Sequence, residues 1–209
     1  MEIRNVKRFS AIIIILLNSM ISYGQIDNIS PCFDFGDMIP RIKEYNEDIE
    51  KVFISNFNHD FIIRLIAKPS FDPEYAFQIY QVEDSAFIIE AFEMKANLWN
   101  TRRPDSVNYY CRDIDIILEQ AVKSLFQVII NSQTKYGIVS GEDGVAYNFL
   151  HNTNEGTKCA ETWDLDSNSV LSEVIEIMDD LMQYAKDKDS NASPIEERIK
   201  SLCLRIECY

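Results

Sequence analysis

The chain has 209 residues, of which 34 are acidic and 20 basic, and its formal charge of −14 argues against two classes of partner. Nucleic acids and anionic membrane surfaces are both bound through an excess of lysine and arginine, so the sequence predicts neither partner. Glycine-rich phosphate-binding motifs do not occur in the chain, and no cofactor is predicted.

The first 24 residues have the composition of a secretory signal. Arg4, Lys7 and Arg8 precede an apolar run over 11–17, and small residues stand at 22 and 24, where a signal peptidase would read them. The run is shorter than the roughly 20 residues of a permanent membrane anchor. We therefore expect removal of 1–24, a single domain over 25–209, and a periplasmic or secreted product without stable membrane insertion. The removed segment contains one acidic and three basic residues. The remaining chain would have 33 acidic and 17 basic residues, a charge of −16.

All five cysteines follow the predicted signal, in a compartment where disulfides persist. They are Cys32, Cys111, Cys159, Cys203 and Cys208. Two bridges would leave one thiol over, and only Cys203 and Cys208 are close in sequence. The sequence therefore allows disulfides without defining their pattern.

The first predicted elements are a helix and a group of three strands. Apolar residues recur at helical spacing over 37–53, and strand patterns follow over 60–68, 74–82 and 85–99. Proline, aspartate and serine separate the strand patterns, as turns require. An antiparallel meander is the expected pairing.

A long one-sided helix is predicted next, with a cap at Asp105 or Ser106 and an apolar stripe that extends to Ile130. Two further strand patterns occupy 145–151 and 156–163. A helix over 169–186 and a short helix from near position 194 complete the chain. The expected fold is α+β, an antiparallel sheet of about five strands with helices packed on one face.

Aromatic residues are concentrated in the first three strand patterns. Alternation places Tyr80, Phe92 and Trp99 on the face opposite to the other aromatic side chains. An exposed aromatic sheet face suits recognition of another protein, so these three are the predicted binding residues.

Segment 140–169 is rich in side chains that catalytic sites use. The pair Asp143-Gly144 is typical of a turn, because glycine accepts positive φ at little cost. His151 and Cys159 stand eight residues apart on neighbouring predicted strands, so their side chains could meet. With Asp143 they form the candidate catalytic set, although a cysteine in an exported chain is more often bridged or packed than activated.

The same segment contains an incomplete calcium loop. Asp164, Asp166 and Asn168 occupy the first, third and fifth positions of an EF-hand pattern. Ser169 stands where the loop needs glycine, and Ile175 stands where it needs a bidentate glutamate. The pattern favours a cap for the following helix, and no metal site is predicted.

A weak resemblance covers most of 25–209. Asp143-Gly144 followed by Tyr147 and Phe149, and then the Thr-Trp pair at 162–163, resembles a pattern in small exported proteins of Bacteroidetes-like bacteria. These proteins are uncharacterised, so the resemblance implies no established activity.

Two functional hypotheses follow. The favoured one is an exported protein-binding domain of immunity or inhibitor type, which binds a basic protein partner through an acidic and aromatic surface. The alternative is a periplasmic hydrolase that uses His151 with a carboxylate or with Cys159. The sequence contains no assembled catalytic motif, and this favours the first hypothesis.

Overall fold

The computed structural model describes residues 29–30, 40–83, 86–101, 107–132, 144–163 and 170–207. In chain order the elements are β1 (Ile29–Ser30), α1 (Pro40–Asn56), β2 (Ile63–Pro69), β3 (Tyr75–Glu83), β4 (Ala86–Met94), α2 (Leu98–Thr101), β5 (Val107–Ile114), α3 (Ile116–Asn131), β6 (Val145–Thr153), β7 (Gly156–Trp163), α4 (Val170–Lys186) and α5 (Ser193–Glu207). The strands form one antiparallel sheet in the order β1-β7-β6-β2-β3-β4-β5. The predicted α+β class is confirmed, with more strands than the five expected.

One of the additional strands comes from a stretch that was predicted to be helical. β5 has the period-two pattern of a strand and pairs with β4 along its whole length. Asp115 ends the strand and caps α3, because its carboxylate accepts a 2.8 Å hydrogen bond from the amide of Leu118. The predicted helix start was therefore wrong. The proposed caps Asp105 and Ser106 lie outside the described residues.

The chain order of the strands explains how the sheet is assembled. Strands β2 to β5 form a meander, and α3 then carries the chain from the edge strand β5 back to the middle of the sheet. There β6 pairs with β2 and continues into the β6–β7 hairpin. The predicted meander of the first three strands is confirmed.

The two faces of the sheet are covered differently. The first face packs against α3, α4 and α5 around an apolar core that includes the fully buried Phe77, Phe126 and Phe149. On the second face, Ile49 and Phe53 of α1 belong to a smaller apolar cluster with residues of β2, β3 and β4. The three C-terminal helices therefore share one face as predicted, while α1 covers part of the other.

Arg112 of β5 anchors the connection between α4 and α5. Its guanidinium donates to the carbonyl oxygens of Tyr184, Asp187 and Ser190 at 2.7–3.1 Å. It also lies 3.8 Å from the ring centre of Tyr184. The edge strand is thus fixed to the helices on the first face, and its other face remains available.

Replacement of Asp115 by alanine tests where α3 begins. The variant loses the hydrogen bond to Leu118, so we expect its free energy of unfolding to fall by about 1 kcal/mol. Asp113→Ala is the control, because Asp113 is exposed in β5 and should change stability by less than about 0.5 kcal/mol. Urea denaturation measures both, and equal losses would contradict this boundary between strand and helix.

Candidate functional site

The sheet register separates the two residues of the predicted catalytic pair. His151 lies opposite Lys158, whereas Cys159 lies opposite Leu150. Adjacent positions of a strand point to opposite faces, so His151 projects to the first face and Cys159 to the second. The prediction that these side chains meet was wrong. Asp143, the third member of the set, lies outside the described residues.

The surroundings of His151 disfavour its charged form. The side chain is buried, and its pKa is lowered by burial and, to a smaller extent, by the charges of Lys123 and Lys158. A catalytic histidine is usually oriented by a carboxylate, which would raise its pKa. Among the described residues the shift comes from burial and from basic groups, which is typical of a histidine in a packed core.

Asp164, Asp166 and Asn168, which form the incomplete calcium pattern, lie outside the described residues. Within the described part of the chain, histidine, cysteine, aspartate and glutamate side chains form no group of three that could hold a metal ion. None of the described helices is both long and apolar enough to cross a bilayer.

Three of the five cysteines can be placed. Cys111, Cys159 and Cys203 form no disulfide with one another. Cys32 and Cys208 lie outside the described residues, so the suggested pairing of Cys203 with Cys208 stays a prediction.

Two of the three predicted aromatic binding residues are buried. Tyr80 and Phe92 are on the second face, as expected, but the segment after α1 covers both. The ring of His59 stacks on Tyr80 at 4.3 Å, and Phe57 packs edge to face on Phe92 at 5.0 Å. Trp99 was predicted to lie in a strand, but β4 ends at Met94 and Trp99 lies in α2, half-buried against a tyrosine of α1. The prediction that these three residues form an exposed face of the sheet was therefore wrong.

A row of buried polar side chains crosses the second face on three adjacent strands. Arg64, Gln78 and Glu90 are in direct register and are only 7%, 0% and 3% exposed. The Nε and Nη2 atoms of Arg64 donate to Oε1 of Gln78 at 3.0 and 2.6 Å. The Nε2 atom of Gln78 donates to Oε1 of Glu90 at 2.5 Å. We call these three residues the polar row.

Two aromatic rings enclose the basic end of the polar row. The guanidinium carbon of Arg64 lies 4.5 Å from the ring centre of Phe57 and 4.2 Å from that of Phe61. Burial lowers the pKa of Arg64 to about 10, although the charge of Glu90 acts in the opposite direction. Arg64 therefore stays protonated at neutral pH and is held in place by both rings.

The acidic end of the polar row leads to the protein surface. Burial raises the pKa of Glu90, while the hydrogen bond from Gln78 and the nearby His59 oppose the rise. The hydroxyl of Tyr109 donates a long hydrogen bond of 3.5 Å to Oε2 of Glu90. Tyr109 belongs to β5 and is 52% exposed. This tyrosine therefore joins the buried row to the protein surface.

From Tyr109 to the end of β5 the second face is open. Cys111 and Asp113 are exposed, Ile88 opposite Asp113 is half-buried, and Val82 at the bulged end of β3 is more than half exposed. We call these five residues the open corner. Among the described strands, β5 is at the edge of the sheet and pairs only with β4. The corner thus combines apolar side chains, a carboxylate and an unpaired strand edge.

The sequence contains a pattern that indicates the polar row. Arg64, Gln78 and Glu90 each interrupt an apolar run, in FIIRLIA, AFQIY and FIIEAF. One polar residue at the centre of each of three consecutive core strands indicates a cross-strand row, because the centres of paired strands lie opposite one another.

No protein-family model, curated protein or solved structure matches this chain. The resemblance to small exported bacterial proteins therefore stays a prediction.

Replacement of Gln78 by leucine tests the bridge in the polar row. The variant keeps a similar volume but leaves a buried guanidinium and a buried carboxylate without their hydrogen bonds. We expect a loss of about 3 kcal/mol in the free energy of unfolding. Gln81→Leu, an exposed position of the same strand, should cost less than about 0.5 kcal/mol. Similar values for both variants would show that the row is not bonded as described.

Replacement of Glu90 by glutamine tests its ionisation. The folded protein raises the pKa of Glu90 above the ordinary 4.5, so folding favours the protonated form. The stability contributed by this group is complete below the unfolded pKa and is lost as the pH rises through the folded pKa. We expect the unfolding free energy of the wild type to fall relative to that of the variant as the pH is raised above 4.5. A difference that stays constant with pH in urea denaturation would contradict the raised pKa.

Proposed function

We propose that this chain is an exported domain that binds a basic protein partner through the open corner, in the manner of an immunity or inhibitor protein. The polar row beneath the corner is the observation that carries the proposal. It joins three buried polar side chains to the exposed Tyr109 at the edge of the sheet.

Stability alone does not account for the polar row. Removing an arginine and a glutamate from water costs several kcal/mol per charge, and apolar residues of the same volume are often at least as stabilising. The first face is packed by an extensive apolar core, so this chain can stabilise a sheet without such charges. A costly polar arrangement that ends at an exposed residue is typical of a functional site.

The geometry of the row favours an orienting role. Gln78 accepts two hydrogen bonds from Arg64 and donates one to Glu90, so it links the carboxylate of Glu90 to a guanidinium that two rings enclose. Glu90 in turn accepts from the hydroxyl of Tyr109 and favours one direction of that ring. A tyrosine whose direction is favoured before binding loses little conformational entropy, and tyrosine is common among the residues that dominate interfaces.

The chemistry of the corner favours a basic partner. Val82 and Ile88 offer apolar contact, and Asp113 and Glu83 place carboxylates beside it. The whole chain has a charge of −14, which steers basic proteins toward it and repels acidic ones. The edge of β5 also offers main-chain hydrogen bonds to an extended segment of the partner.

The register disfavours one form of the hydrolase alternative, the pairing of His151 with Cys159. The two side chains project to opposite faces of the sheet. Among the described residues these positions form no nucleophile and base in contact, which covalent hydrolysis requires.

Photo-crosslinking from the open corner tests the proposal. A benzophenone side chain at Val82 should give a discrete adduct with a basic protein when the full chain is expressed in its own cells, and it leaves the hydroxyl of Tyr109 in place. The same probe at Leu204 is the control, because Leu204 is a comparably exposed apolar residue on α5. Adduct yield at position 82 should fall by about tenfold on introduction of Asp113→Lys, through repulsion of the partner.

Two results would contradict the proposal. One is equal, nonspecific labelling from positions 82 and 204. The other is a discrete adduct with a protein of acidic charge, whose yield is unchanged by Asp113→Lys.

A further inference from the structure

A groove of about 620 Å³ lies at one end of the first face. It is bounded by the first half of α3, the segment that enters β2, and the ends of the β3–β4 and β6–β7 hairpins. Its apolar lining comes from Ile62, Phe87 and Ile116, and side-chain amides surround them. The volume is in the range of roughly 300–1,000 Å³ that small ligands occupy in proteins.

The groove contains a largely buried glutamate whose carboxylate has no bonding partner among the described residues. Glu119 lines the groove and is only 5% exposed. Its main-chain amide bonds to Asp115 as part of the helix, but its carboxylate forms no hydrogen bond or ion pair with any of the described residues. Lys123 follows one helical turn later and lines the same groove, yet the two side chains do not form an ion pair within 4.0 Å.

Such a carboxylate indicates what kind of group would bind beside it. A buried charge is unfavourable unless it is paired or hydrogen-bonded, so Glu119 favours an occupant that donates hydrogen bonds and carries positive charge. Burial raises the pKa of Glu119, and the charge of Lys123 lowers it. A cation in the groove would act in the same direction as Lys123 and favour the ionised form.

We propose that the groove binds an alkyl ammonium or guanidinium group on an apolar stem, with the cation at Glu119 and the stem against Phe87 and Ile62. A lysine or arginine side chain of a peptide has this chemistry, and so does a free aliphatic amine. Asp60 also lines the groove, so its two carboxylates outnumber the one ammonium of Lys123 and disfavour an anionic occupant. This site lies on the face opposite to the open corner, and its test does not depend on the proposed partner.

Methyl NMR of the full chain with labelled isoleucine measures binding directly. Ile62 and Ile116 report from the groove, and the buried Ile199 of α5 is the internal reference. The probes are N-acetyl-lysine amide, N-acetyl-arginine amide, n-butylamine and the uncharged N-acetyl-norleucine amide. The charged probes should shift Ile62 and Ile116 saturably, and the norleucine amide should not. Tighter binding of the amides than of butylamine would identify a peptide side chain as the source, and equal binding would identify a free amine.

Two variants with opposite expected effects test the role of Glu119. Glu119→Gln keeps the volume and should weaken binding of the lysine amide by about tenfold. Lys123→Met removes the competing positive charge and should strengthen binding of the lysine amide. This second variant tests the role of Glu119 even if Glu119→Gln does not fold. Glu196→Gln is the matched control, because Glu196 is also buried, near the start of α5, and is followed four residues later by a lysine.

Three results would overturn the proposal. They are shifts with the norleucine amide equal to those with the lysine amide, wild-type binding in Glu119→Gln, and absence of saturation with every charged probe at concentrations on the order of 10 mM.

Discussion

The hydrogen bonds of Gln78 are the interaction on which the second face of the sheet depends. This one amide accepts from Arg64 and donates to Glu90, so it connects two buried charges of opposite sign on the strands beside it. A buried charge without such a partner would be strongly unfavourable. The register of β2, β3 and β4 and the position of the segment after α1 are therefore constrained by one set of polar contacts.

The two faces of the sheet are covered to different extents. The first face is closed by three helices, and Arg112 fixes the edge strand to the connection between two of them. The second face is only partly covered, and its polar row reaches the surface at Tyr109. Because the apolar core on the first face stabilises the fold, the second face can hold charges whose contribution to stability is small. The groove at Glu119 shows that the first face is also open at one end.

Much of the fold could be predicted from residue periodicity. The helix α1, the meander and the β6–β7 strands follow from spacing and turn residues, and these signals are local. The error at β5 arose because its apolar residues merge with the stripe of α3, and only Asp115 marks the boundary. A cap inside a continuous apolar pattern is easily assigned to the wrong position.

The site was harder to predict, because it depends on which face each side chain occupies. His151 and Cys159 seemed compatible from their spacing, but a shift of one residue in a hairpin exchanges the faces, and the turn sequence did not define it. Tyr80 and Phe92 were placed on the correct face, whereas their burial depends on α1, which is distant in sequence. Arg64, Gln78 and Glu90 become one feature only when the register of three strands is known.

The most direct test of this account is to replace the whole polar row with apolar residues of similar volume, as Arg64→Met, Gln78→Leu and Glu90→Met in one protein. Crosslinking yield from a benzophenone residue at Val82, which leaves the hydroxyl of Tyr109 in place, is the decisive measurement, read beside the free energy of unfolding. If the row serves recognition, the yield should fall by about tenfold or more, while stability stays within about 1 kcal/mol of the wild type or rises. Unchanged crosslinking together with a loss of several kcal/mol would show that the row stabilises the fold and takes no part in binding.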